Sequence, residues 1–508
     1  MNFKKSSLLL VAAWLIFLLG ASNALASPVL IKLLLKDRSD YQKARAFNLH
    51  VYHRFDNLFI AELEQSQLKV LIDAGLSYEI IDQKPWTECY YVISESPGAE
   101  PVDLSEYGRV LLQIDDFQFL KISDQKARGL AEKGYYIAKV FRRAIPLKYK
   151  APTEQVLKDY SYDPGVDSLL SFVSADSLYT WTLRMQDFQT RYSYSDSIHS
   201  ARQWLLDKFI SFGIDSVWFH HYYYNSDQYN VVATVMGTAH PDIVMVVGGH
   251  YDSVVYGSGT DPYVWAPGAD DNASGTVATL EMARIIAQNP LPVTTIFVPF
   301  AQEEQGLIGS DRFAQYLYNQ DTNLHLVLNA DMIGHSVDAD TDVTIYAAFD
   351  IGESVNIMMD MADIYTYLRA HYNGQSSGSD HYSFYQWGYD AIFVHEGEFF
   401  TNGWHKNYDI VDSLDFDYMK EVVKMELATL ITVAKLLAPP YAIGDANGDE
   451  EVDIVDAVFL ANYILKSGPA PDPLQRGDLN CDGETRIEDV VFLINYLFRN
   501  GPLPPAYC

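Results

Sequence analysis

Apolar residues along this chain fall into three regimes of spacing. In the first, Val29 to Leu35 is a nearly unbroken apolar run of strand length, Gln65 to Ala74 has helical spacing, and Tyr78 to Ile81 is strand-like. The helical run stops at Gly75, a termination signal because glycine adopts positive φ without a Cβ penalty. The pattern recurs 59 residues later: Leu120 and Ile122, a helical Asp124 to Lys133, Gly134, then Tyr135 to Val140. This predicts a small α+β domain, or a pair of them, over residues 27–150. Ala151, Pro152 and the turn Asp163-Pro164-Gly165 mark a linker at 151–166.

In the second regime, over 167–440, helices alternate with short β-branched runs. Trp204 to Phe212 and Ala273 to Gln288 have helical spacing; Tyr229 to Met236, Ile243 to Val247, Thr294 to Pro299 and His325 to Asn329 are apolar runs of strand length. Strands that are apolar on both faces belong in a sheet covered on both sides, so the block predicts an α/β sandwich with a largely parallel sheet. Sheets of this kind present functional residues at strand C-termini, and polar clusters follow these strands.

The third regime, 441–508, is a repeat with offset 33. Asp445, Asn447, Asp449, Asp456, Leu460 and Tyr463 recur as Asp478, Asn480, Asp482, Asp489, Leu493 and Tyr496.

Composition narrows the classes. The 508 residues imply several domains, and 48% hydrophobic with 20% charged residues excludes a disordered or collagen-like chain. Three cysteines exclude a disulfide scaffold and a four-cysteine zinc site. The net charge is -31, with +1 over 27–150, -26 over 151–440 and -8 over 441–508. That distribution argues against nucleic acid and favours cationic groups such as a substrate α-amine. Lys4-Lys5, the apolar Leu8 to Gly20 and Ala24-Leu25-Ala26 form a secretory signal peptide, residues 1–26. The mature chain is expected to be secreted and without a membrane span. With no chemistry of its own, the N-terminal domain is expected to be an accessory or a pro-domain, released by cleavage near Arg142-Arg143 or in the linker.

The candidate chemistry lies in the middle block. Gly248-Gly249-His250-Tyr251-Asp252-Ser253 follows a strand, and a ligating imidazole commonly gives its second N–H to a carboxylate such as Asp252. Gly268-Ala269-Asp270-Asp271-Asn272 precedes a helix. Gln302-Glu303-Glu304-Gln305-Gly306 leaves a buried strand, where adjacent carboxylates repel unless a cation or proton compensates. Asn329-Ala330-Asp331 ends the next strand, and Trp404-His405 supplies a late histidine. Imidazole and carboxylate donors without thiolates suit a two-zinc hydrolytic site.

The motifs Gly-Gly-His-x-Asp-Ser, Gly-Ala-Asp-Asp-Asn-Ala-Ser-Gly and Glu-Glu-x-Gly-Leu-x-Gly-Ser resemble the bacterial leucyl-aminopeptidase family of co-catalytic zinc peptidases, which includes aminopeptidase Y, over about residues 167–437. The resemblance implies a phosphorylase/hydrolase-like α/β/α sandwich holding two Zn²⁺. His250, Asp271 and Asp331 would bind one ion; Asp271, Glu304 and His405 would bind the other, with Asp271 bridging. Glu303 would be the general base and Asp252 would orient His250. Spacing alone does not choose between Glu303 and Glu304. The resemblance also implies a cis Asp271–Asn272 peptide. Some relatives place a tyrosine directly before the last ligand histidine or in a Cys-bracketed loop; here Trp404 precedes His405 and Ser376-Ser377-Gly378 carries neither, so no oxyanion donor is assigned. Tyr251, Phe399, Phe400 and Trp404 are candidates for a specificity pocket. The expected activity is removal of N-terminal residues from peptides by a metal-activated water and a glutamate base. Alternatives are a carboxypeptidase or a one-zinc glutaminyl cyclase on the same fold, or an inert calcium-dependent adhesion or scaffold protein.

In the repeat, Asp445, Asn447, Asp449, Glu451 and Asp456 stand at positions 1, 3, 5, 7 and 12 of a calcium loop, and Asp478, Asn480, Asp482, Glu484 and Asp489 do so again. Each loop leads into an apolar helix, which resembles a type I dockerin and implies an all-α module with two Ca²⁺. Glu450 stands where glycine is usual. Ile454-Val455 and Ile487-Glu488 replace the hydroxyl pairs of cohesin-binding members, which argues against an ordinary cohesin; the resemblance leaves a cohesin-like or cell-surface partner as the expectation. Cys481 and Cys508 are placed to pair, leaving Cys89 single.

Overall fold

The computed structural model describes residues 28–504 apart from 48, 148–159, 258, 337–340, 348–351, 401–402, 439–441, 450, 500 and 503. The expected signal peptide, most of the expected linker, Glu450 and Cys508 therefore lie outside the described residues.

Two sheets of equal topology build the N-terminal part. The first comprises β1 (Pro28–Leu34), β2 (His50–Phe55), β3 (Leu58–Glu64) and β4 (Ser77–Asp82) in the order β2-β3-β1-β4. The second comprises β5 (Cys89–Glu95), β6 (Arg109–Ile114), β7 (Phe117–Ile122) and β8 (Tyr135–Val140) in the order β6-β7-β5-β8. The helix before each fourth strand is followed by a glycine at positive φ, Gly75 at 77° and Gly134 at 90°. The weak repeat in the sequence is thus a structural duplication.

The larger sheet has eight strands: β9 (Ser216–Tyr224), β10 (Ser226–Val235), β11 (His240–His250), β12 (Val293–Phe300), β13 (Asn323–Ala330), β14 (Asp342–Ala347), β15 (Arg369–Tyr372) and β16 (Ala391–Glu396). Their order is β15-β14-β16-β13-β11-β12-β10-β9. The run β16-β13-β11-β12 is parallel, whereas β14 meets β16, and β10 meets both β12 and β9, antiparallel. The expected sandwich with a mostly parallel mixed sheet is the one observed, with a parallel run at its centre. Alternate residues of β11 serve opposite faces. Ile243, Met245 and Val247 pack with the helices Ala175–Gln186, Gly275–Gln288 and Phe416–Leu437, while Val244 and Val246 pack with Phe313, Phe384 and Trp387.

That second face is shared. Val29, Ile31 and Leu33 of β1 belong to the same apolar cluster as Val244, Val246 and Val298, so the first N-terminal unit is packed onto the sandwich rather than tethered beside it. Polar contacts reinforce the join. Arg143 pairs with Asp311, and the Arg54 backbone exchanges hydrogen bonds with the Gln386 side chain. Of the two arginines expected at a cleavage point, Arg142 is exposed and Arg143 is engaged in this pairing.

His53 Nε2 lies 2.9 Å from the Tyr382 hydroxyl in this interface. Burial, aided by Arg54, holds the imidazole at about 3, against 6.5 for an exposed one. A histidine kept neutral by folding adds nothing unfavourable above pH 6.5. Below it the unfolded form gains a proton that the folded form refuses, so stability falls as pH drops toward 3. Chemical denaturation at pH 7 and pH 4.5 is expected to show the loss, about 1 kcal/mol per pH unit. His53→Gln, which still hydrogen-bonds a hydroxyl, is expected to flatten the dependence.

The C-terminal helices Ile454–Lys466 and Ile487–Arg499 enclose a separate small core of Ile443, Ala446, Ala457, Leu460, Leu479, Val490 and Leu493. No helix among the described residues is long and apolar enough to cross a membrane.

Candidate metal centre

Register in the parallel centre brings distant residues together. Gly248 of β11 faces Asn329 of β13 and His250 faces Phe300 of β12, so the loops carrying Asp252, Glu303-Glu304 and Asp331 leave one edge of the sheet side by side. Gly268, at φ 49°, admits no side chain: a Cβ there would lie 2.3 Å from the Asp271 carbonyl oxygen. This close approach delivers Asp271 to the cleft. The Asp271–Asn272 peptide is cis. His405 has φ 55°, an uncommon conformation for a residue with a Cβ, and such residues gather at functional sites.

Two triads result. His250 Nε2 lies 3.3 Å from Asp271 Oδ1 and 3.4 Å from Asp331 Oδ1. His405 Nε2 lies 3.2 Å from Asp271 Oδ2 and 3.0 Å from Glu304 Oε2. Asp271 thus turns one oxygen to each histidine and belongs to both triads. Ligands of a tetrahedral ion bonded at 2.0–2.1 Å stand about 3.3 Å apart, and these spacings match. Asp331 Oδ1 and Glu304 Oε1 are buried without a hydrogen-bond donor, which is costly unless a cation lies beside each. The cluster therefore fits two divalent metals. Glu303 lies outside both triads, its Oε2 3.9 Å from His250 Nε2.

The charges here are frustrated in the bare protein. Burial, with Glu304 and Asp331 adding to it, pushes the Glu303 carboxyl well up. Burial also pushes Glu304 to about 7, with Asp271 contributing. For His405 burial opposes protonation, yet Glu304 and Asp271 lift it to about 10. Bound cations would replace these protons as the compensating charge.

A surrounding set of groups fixes the cluster. The Asp252 carboxylate accepts from Ser193 Oγ at 2.9 Å and from the Glu303 N–H at 3.1 Å, and its Oδ1 lies 3.6 Å from His250 Nδ1. It is thus bonded to the Glu303 backbone, and the Asp252 backbone carbonyl lies 3.2 Å from His250 Nδ1. Ser379 Oγ donates to Asp331 Oδ2 at 2.7 Å. Asp409 accepts the backbone N–H groups of Asp270 and Asp271. Arg191, fully buried, donates to the carbonyls of Tyr251, Pro267 and Gly268 and ties the two loops together. None of Ser379, Asp409 and Arg191 was singled out from the sequence. Asp409 stood four residues after His405; Ser379 and Arg191 carried no local signal.

Of the pocket candidates, Trp404 lines the cleft, and Phe399 packs edge-on against it. Tyr251 is in the core, donating to the Tyr229 carbonyl, and Phe400 stacks on His335. Tyr251 lies within a buried strand end, so its ring follows the core.

In the C-terminal loops, Asp456 Oδ1 accepts the Asn447 N–H and Asp489 Oδ1 accepts those of Leu479 and Asn480. Asp445, Asn447 and Asp449 turn carboxylate or amide oxygens inward to backbone N–H groups of their own loop, as do Asp478, Asn480 and Asp482. Glu451 and Glu484 enter through their backbone N–H groups, each held by the aspartate two residues before. Cys481 is disulfide-bonded and Cys89 is free.

Residues 230–430 match the model of peptidase family M28, and residues 443–498 match that of the dockerin type I domain. A probable zinc metalloprotease of Pyrenophora tritici-repentis is 28% identical over 351 residues, covering 56% of this chain and 79% of its own. Leucine aminopeptidase 1 of Ajellomyces capsulatus is 29% identical over 378 residues, covering 68% and 94%. Among solved structures, the LapA aminopeptidase of Legionella pneumophila shares the fold, with a TM-score of 0.55 at 19% identity, over 68% of this chain and 99% of that one.

Proposed function

This chain carries a peptidase family M28 domain fused to a dockerin type I module, and on that premise we propose that it is a di-zinc aminopeptidase acting outside the cell. The observation that carries the reading is the pair of triads sharing Asp271, with Glu303 left outside both. His250, Asp271 and Asp331 would hold one Zn²⁺, and Asp271, Glu304 and His405 the other. Two such ions lower the pKa of water and polarise a peptide carbonyl. Glu303 takes the proton of the attacking water on a carboxylate oxygen and returns it to the departing amine. Asp252 holds the Glu303 backbone and His250 in register. The carboxylates around the cleft favour a substrate whose free α-amine is positively charged, which supports action at the amino end. The C-terminal module, with two Ca²⁺, would dock the enzyme on a cohesin-like or cell-surface partner.

Metal analysis of the purified chain together with hydrolysis of amino-acyl amides tests this. Two zinc ions per chain, cleavage of free-amine substrates and no cleavage of N-acetylated ones are expected. One zinc per chain with cyclisation of N-terminal glutamine, or release of residues from the carboxyl end, would overturn it.

A further inference from the structure

The cleft above the triads is roofed by the second N-terminal unit. Tyr135, Tyr136 and Ile137 of β8 line it together with Asp271, Glu303 and Trp404, and the room left for the centres of water molecules is about 40 Å³. A water needs roughly 10–15 Å³ of such space, so a few waters fit beside the Tyr136 ring. Tyr136 stands in its wall. It belongs to neither apolar core of its own unit, unlike its neighbours Tyr135 and Ala138. Its ring lies flat against the loop at Gly378, where a Cβ would stand 3.0–3.1 Å from three ring carbons. It meets the Trp404 ring at 5.8 Å and 62°, and Phe393 and His395 complete the wall. A glycine face and an aromatic wall make a slot shaped for a planar ring.

We propose that Tyr136 stands in the pocket of the substrate's first side chain, so that peptides beginning with tyrosine or phenylalanine are the preferred class. The inference rests on the exopeptidase reading above. Tyr136 then competes with aromatic substrates for one slot. The absence of a side chain at Gly378 is what admits either ring.

The test uses the zinc-loaded full chain and its Tyr136→Ala variant, with 4-nitroanilides of phenylalanine, tyrosine, alanine and glutamate. Calorimetry with L-phenylalaninamide and L-alaninamide accompanies it. The variant is expected to gain at least tenfold more in kcat/KM and in affinity for the aromatic members than for alanine, while Tyr136→Phe behaves as the parent chain. Equal gains for all substrates, no gain, or a loss on aromatic substrates would overturn the proposal. If no anilide is cleaved by either protein, the exopeptidase reading fails, and the calorimetric comparison still decides the slot. Gly378→Ala in the intact chain is an independent handle. Its methyl must contest the ring's place and is expected to narrow the slot, costing aromatic substrates more than alanine; equal effects would count against the slot.

Discussion

Glu303→Gln is expected to bind two metals and to keep the fold while lowering kcat by ~10²-fold or more, the usual contribution of a general base. The side chain lies outside both triads, so its charge is not needed to hold either ion. The residue's fixed point is its backbone N–H on Asp252, which the substitution leaves intact. What is lost is the ability to accept a proton beside His250. Glu304→Gln is the contrasting variant. Its Oε2 faces His405 Nε2 at 3.0 Å, so the amide is expected to weaken the second metal. Stopped kinetics with two bound metals in Glu303→Gln, and metal loss in Glu304→Gln, would separate roles that the spacing of adjacent glutamates left open. An unchanged kcat in Glu303→Gln would remove it from the mechanism.

What was legible in the sequence follows from how local each cause is. β11, β12 and β13 could be read because both their faces are buried, which forces continuous apolar runs. β14 and β16 were not singled out. β14 alternates polar and apolar residues (Asp342, Thr344 and Tyr346 against Val343 and Ile345), whereas β16 carries the short buried apolar run Ala391 to Val394, a signal of the same kind that was passed over. Part of the metal cluster could be read because His250, Glu304 and Asp331 sit where strands end, so each had an apolar run to point to it, whereas Asp271 stands before a helix and His405 in a loop. Arg191 had none. Its function is to satisfy carbonyls of loops 60 or more residues away, and that demand appears only when those loops meet. Tyr136 was invisible for the same reason. In its own strand it is one of two adjacent tyrosines, and only the approach of Gly378 and Trp404 gives it a place.

Calcium removal is expected to unfold residues 442–499 while leaving the peptidase core folded. The C-terminal core has seven buried apolar residues and shares none with the sandwich, too few to hold two rings of carboxylates against their repulsion. Binding free energy should therefore appear as folding free energy. The two loops are not equivalent. Arg476 places its guanidinium on Asp445, the first ligand position of the first loop, and also donates to its carbonyl. A cation entering that loop must displace a charge already there. In the second loop Arg486 pairs instead with Glu484, at the position that ligates through its backbone carbonyl, so the competition is indirect. Gly483 supplies the sharp turn at φ 85° with open space around it. A two-step calcium titration is expected, with the second loop filling first and Asp478→Ala harming tail protection from proteolysis more than Asp445→Ala. Arg476→Gln should strengthen the weaker step and draw the two together. A single unresolved step that Arg476→Gln leaves in place would contradict the asymmetry. A tail equally protected with and without a calcium-selective chelator would remove the calcium module itself.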